Sequence, residues 1–176
     1  MKIKVFVFFM AALFAVNFQA TAQESTAVLL EKAQAKAKKE GKSVFIKFEA
    51  SWCGWCHKMT KDMKAESTKK FFEDNFVTVA VVVKESPKNK KLENPGGDDL
   101  IKKYNNGNSR VGLPFWIILD SDLKVITNSY DSNNQNLGGP ASPAEVKEFI
   151  KKLKMAVATF SEADAAMITK QFEKKK

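Results

Sequence analysis

Cysteine and histidine are nearly absent from this chain, with two of the first and one of the second in 176 residues. Both cysteines, Cys53 and Cys56, lie in a single C-x-x-C. That excludes a disulfide framework, because two intervening residues close too small a ring to staple a fold. The pair therefore reads as reactive rather than structural. A closed metal site is also poorly supplied, since the adjacent Cys56 and His57 point to different helix faces and no fourth ligand is evident. No internal repeat is present. Nucleic-acid binding calls for a basic patch interleaved with aromatics, and that is missing too. The formal net charge of +9 is instead spread over segments of mixed sign such as 31–42 and 147–154, so no nucleic-acid partner is expected. A hydrophobic content of 44% excludes a disordered chain and suits one domain with an added element.

A membrane-spanning run is likewise lacking. Residues 5–18 are almost wholly apolar, but they fall short of the roughly 20 needed to cross a bilayer. Lys2 and Lys4 precede them, and Ala20-Thr21-Ala22 follows with the small-x-small pattern of a signal-peptidase site. Residues 1–22 are therefore expected to be a signal peptide, cleaved near Ala22-Gln23. The protein is expected to be exported, most simply to a bacterial periplasm. Loss of Lys2 and Lys4 lowers the net charge by two and leaves it positive. No cysteine follows the apolar run to carry a lipid. Lys174 to Lys176 read as a frayed, solvated end. Export permits disulfides, which sharpens interest in the one pair present.

Periodicity supplies the elements. Residues 25–41 are helical, with Ala27, Leu30, Ala33 and Ala37 three to four apart and Gly41 as the stop. Residues 43–50 are a short β-rich run, as in a buried strand. The C-x-x-C follows directly, and 58–72 return to helical composition, so Cys53 sits at a strand-to-helix junction. The run FVTVAVVV at 76–83 is the strongest strand signal and suits a central strand covered on both faces. Residues 84–99 read as an inserted surface loop, and 98–104 as a short helix. Strands at 115–119 and 124–130 flank a tight turn and imply a hairpin. Pro143, capped by Ser142, opens a helix to 157. Ser161 opens a last one, with Ala165, Ile168 and Phe172 on one face. An α/β fold follows, a mixed sheet flanked by helices with an extra C-terminal helix. The divisions are 1–22, a domain at 23–157 and a helical extension at 158–176.

Disulfide exchange needs a thiolate that attacks and a second thiol that releases the mixed disulfide. At a helix N-terminus, free N–H groups and the dipole lower the pKa of Cys53. Cys56, one turn further in, is expected to be buried and to resolve. The string Ser51-Trp52-Cys53-Gly54-Trp55-Cys56 after an apolar strand resembles the active site of the thioredoxin superfamily. The longer form, through His57 to Met59, resembles its exported bacterial branch. Gly112-Leu113-Pro114-Phe115-Trp116 is similar to the family's cis-proline unit before a strand. The resemblance covers about residues 26–157. It implies a thioredoxin-like fold, a redox-active Cys53–Cys56 disulfide, a cis bond at Pro114, and a Leu113 backbone that pairs with bound substrate. Trp52 and Trp55 would form an exposed apolar surround for docking protein chains. The partners implied are proteins bearing cysteines or disulfides and, for a reductase, a membrane thiol electron donor. No cofactor is implied. A monomer is expected.

Departures from the family pattern lie close to the pair. Alignment on Cys53 puts Lys47 where a buried Asp serves as proton acceptor for the second thiol, which counts against thioredoxin-style rapid turnover. Glu49, on the same strand face, is a candidate substitute; the plain alternative makes both solvated strand-edge charges. Trp55 replaces the family's Pro. His57 either favours the Cys53 thiolate or simply faces solvent. Two rival functions remain. One is a thioredoxin-like binding or chaperone module with incidental cysteines. The other is c-type haem attachment, which C-x-x-C-H also spells, though the β-rich centre fits it poorly. Reduction is the favoured direction; oxidase and isomerase differ from it only in redox potential.

Overall fold

The computed structural model describes residues 23–173. The expected signal peptide and the last three lysines lie outside them. Among the described residues no helix is long and apolar enough to cross a membrane.

The first helix, α1 (Thr26–Glu40), starts where the Ser25 hydroxyl accepts the Val28 N–H and ends at Gly41 in a left-handed conformation with φ of 66°. Its buried stripe is Thr26, Leu30, Ala33 and Ala37, so Thr26 takes the inward place that periodicity assigned to Ala27. Strand β1 (Ser43–Glu49) leads into α2 (Gly54–Met63). The helical composition after the cysteines is split: α3 (Glu66–Asn75) is a separate helix, because Ala65 is extended. Thr68 helps to seal the break, its hydroxyl donating to the Asp62 carbonyl and its N–H to Ala65. Then come β2 (Phe76–Val82), a 3-10 turn (Pro87–Leu92), α4 (Gly97–Tyr104), β3 (Phe115–Leu119), β4 (Val125–Asn128), α5 (Pro143–Ala156) and α6 (Glu162–Phe172). Capping boxes at Ser142–Glu145 and Ser161–Asp164 start the last two helices.

The sheet order is β2-β1-β3-β4, with β1–β2 parallel and the other two pairs antiparallel. β2 is therefore an edge strand, not the central one its β-branched run suggested. Thr78 and Ala80 stand exposed on it, while Val77, Val79 and Val81 face inward. The interior strands are β1 and β3. Side chains alternate across them. Val44, Ile46, Phe48, Phe115, Ile117 and Leu119 form one core with α1 and α4. Phe45, Trp116 and Ile118 form the other with α2, α3, α5 and α6. In that second layer the Phe149 ring centre lies 5.2 Å from those of both Trp116, edge to face, and Phe172, tilted. The last helix is thus bound into the domain, with Ile168 and Phe172 fully buried. Gln171 anchors it further by donating to Asp62 at 3.1 Å.

Candidate active site

β1 ends at Glu49, and four residues bring the chain to Cys53, the N-cap of α2. The Cys53 sulfur takes the place of a capping oxygen and accepts the Cys56 N–H at 3.1 Å. No acidic residue sits in the first turn to neutralise the positive end of the helix. The two cysteines form a disulfide, with Cα atoms 5.3 Å apart. Cys56 is fully buried and Cys53 nearly so. Together with Ala50 they make a small apolar cluster against which Leu113 packs.

The Leu113–Pro114 bond is cis. Asn136 spans this loop, its amide donating to Gly112 O at 2.8 Å and Pro114 O at 3.2 Å. The next turn closes over α2 from the same side: Trp116 donates its indole N–H to Gly138 O at 2.9 Å. At Gly139 a Cβ would stand 2.9 Å from the Trp55 carbonyl, so only glycine fits that approach. Trp52 and Trp55 form the rim, 61% and 45% exposed. His57 is exposed as well, and its Nε2 meets the Ser51 carbonyl at 2.9 Å, the geometry of a donated N–H.

Lys47 is 3% exposed on an interior strand, which overturns its reading as a solvated edge charge. Its ammonium lies under the second cysteine, donating to Cys56 O at 3.3 Å and to the Thr60 hydroxyl. Glu49 completes the set at 2.6 Å from Lys47 Nζ. A burial that would be costly for a lone charge is offset by these partners.

The 84–99 segment is more than a surface insertion. Glu85, 5% exposed, accepts both the backbone N–H and the hydroxyl of Ser51, the second at 2.7 Å. The Ser51 N–H, foremost, holds the Glu85 carboxyl below its usual range, against the opposing effect of burial. Trp52 donates its indole N–H to Lys84 O at 2.8 Å. Lys84 donates to Val111 O beyond, and burial pushes its ammonium pKa down. Sequence reasoning missed Ser51, Thr60, Glu85 and Gly139. Glu85 meets Ser51 across 34 residues, and no local pattern in a mixed-charge loop marks such a contact.

The family model described as thioredoxin-like matches residues 25–121. An uncharacterized protein of Caenorhabditis elegans is 33% identical over 111 residues, 60% of this chain; the chain spans 14% of the length of that curated relative. Among solved structures, a disulphide isomerase from Xylella fastidiosa is 18% identical with a TM-score of 0.49, covering 89% of this chain and 95% of its own. A thioredoxin from Thermus thermophilus is 20% identical with a TM-score of 0.45, covering 70% and 80%. A mixed sheet with a C-x-x-C disulfide at a helix N-terminus fits the thioredoxin-like match. With more than half its length matched, the chain belongs to the thioredoxin-like family.

Proposed function

We propose that the protein is an exported thiol–disulfide oxidoreductase that reduces disulfides in protein substrates. The observation that carries this is the placement of Cys53: its sulfur caps α2, accepts the Cys56 N–H and lies in one apolar cluster with Leu113, beside the cis bond. In the dithiol form the Cys53 thiolate attacks one sulfur of a substrate disulfide, forms a mixed disulfide and expels the other sulfur as a thiolate. Cys56 then loses its proton and attacks the Cys53 sulfur. The substrate leaves as its second thiolate, and the Cys53–Cys56 disulfide remains. Two electrons pass to the substrate, and a thiol donor, a membrane protein in this reading, restores the dithiol.

Trp52 and Trp55 give the substrate an apolar landing surface, and the Leu113 backbone pairs with its extended chain. Lys47 and Glu49 tune the second step, because an ammonium below Cys56 favours its thiolate. His57 holds the Ser51 carbonyl and adds positive character near Cys53. Residues 1–22 act as the export signal to the periplasm, and the working unit is a monomer of 23–157 with the 158–176 extension. No nucleic acid takes part. The disulfide between Cys53 and Cys56 and the seating of His57 on Ser51 favour exchange over haem attachment. Trapping tests the roles: Cys56→Ala should accumulate mixed disulfides with host proteins on non-reducing gels, and Cys53→Ala should not. Equal trapping by both variants, or by neither, contradicts the assignment. A binding module would keep its activity with both cysteines replaced.

A further inference from the structure

Part of the sheet is left without a helix above it. Lys47 and Glu49 of β1 and Thr78 and Ala80 of β2 share the face on which α2 and α3 pack, and Thr78 and Ala80 are exposed. Their small side chains leave a cleft of ≈ 530 Å³ between the sheet and these helices, within the span of small-molecule sites, about 300–1,000 Å³. Met63, Phe72 and Phe76 form its apolar wall.

The polar lining is predominantly cationic. Five lysines face two glutamates, and both carboxylates are already engaged, Glu49 by Lys47 at 2.6 Å and Glu73 by Lys69 at 3.7 Å. Lys64, at the end of α2, is exposed and its ammonium meets no ion-pair or hydrogen-bond partner among the described residues. The buried Lys47 at the floor adds no free cation, since its ammonium is paired with Glu49 and donates to Cys56 O and the Thr60 hydroxyl. An apolar wall ending in surplus positive charge complements a molecule with a hydrocarbon body and one anionic end. The donors are compact ammonium groups, which meet an anion as point charges, so it is the apolar wall that sets an amphiphile apart from inorganic phosphate.

We propose that this cleft binds an amphipathic carboxylate of the medium-chain fatty-acid class. The chain lies along Met63, Phe72 and Phe76, and the carboxylate meets Lys64. Lys47 donates to Cys56 O, so the occupant sits one residue away from the second cysteine. The site does not depend on the redox reading, and its test stands whichever way the cysteine chemistry comes out.

Calorimetric titration of the purified chain with dodecanoate, below its micelle-forming concentration, decides the matter. Saturable one-to-one binding is expected, with dodecyltrimethylammonium and inorganic phosphate failing to bind. Ala80→Phe, which fills the cleft from an exposed position, should abolish binding; Thr78→Phe is the second blocking variant. Lys64→Glu should weaken it about tenfold, the scale of one charge-assisted hydrogen bond. Circular dichroism confirms that each variant is folded. Absence of saturable binding, unchanged affinity in the folded blocking variants or in Lys64→Glu, or equal binding of the cationic amphiphile or of phosphate would each overturn the proposal.

Discussion

Lys47 and Glu85 are the two buried charges nearest the cysteines, and each makes a separate prediction. Lys47 replaces a carboxylate with an ammonium beneath Cys56. A cation there stabilises the thiolates of the reduced pair and makes the disulfide a stronger oxidant. Lys47→Met should therefore lower the midpoint potential, by on the order of 30 mV, or about 1.4 kcal/mol for a two-electron couple. A redox titration reads this directly, and an unchanged potential would show that Lys47 serves packing alone. For Glu85, the Ser51 N–H holds the folded-state pKa below the unfolded value. Its contribution to stability is then present above the ordinary carboxylate range, near pH 4.3, and is lost as pH falls through the depressed folded value. Urea midpoints should show Glu85→Gln less stable than the parent at pH 7 and the gap closing at pH 3. The residue order marked Lys47 as a departure from the family pattern and a candidate tuning residue without showing its burial, and it left Glu85 in a loop.

At the scale of elements, the two ends of α2 are held by contacts from distant chain. Gly139 touches its first turn, and Gly139→Ala would drive a methyl group to 2.9 Å from the Trp55 carbonyl. The cost should be about 1–3 kcal/mol, as for other overpacked sites, seen as a lower melting temperature. On the outer layer, α6 buries Phe172 against Phe72 and Phe149. Phe172→Ala should cost about 3–5 kcal/mol in urea unfolding; a cost under 1 kcal/mol would make α6 a loose appendage. The elements themselves were largely legible. Caps at Ser142 and Ser161 and the stop at Gly41 stand where the residue order placed them, while Ser25, read as helical, is the cap of α1. The break at Ala65 was not legible, because it depends on Thr68 reaching back to Asp62 rather than on a glycine or proline.

For the whole molecule, residue pattern led to the mixed sheet with helices on both faces, since strand–helix alternation implies parallel neighbours and a tight turn implies a hairpin. Strand position was harder. A β-branched run such as 76–83 is compatible with either a centre or an edge, and β2 is an edge whose exposed Thr78 and Ala80 open the cleft. The cysteine pair and the cis bond at Pro114, 61 and 58 residues apart in the chain from Cys53 and Cys56, meet only because β1 and β3 are adjacent. The family pattern supplied that meeting; spacing alone does not.

In the proposed function Cys53 and Cys56 act as one redox couple. Intact mass after thiol alkylation, across a series of thiol–disulfide buffers, tests it most directly. Both cysteines should convert together and reversibly in one two-electron transition, with a midpoint of about −270 mV, the thioredoxin value. A pair that never converts, or a mass showing haem attached to it, would contradict a redox role for Cys53 and Cys56.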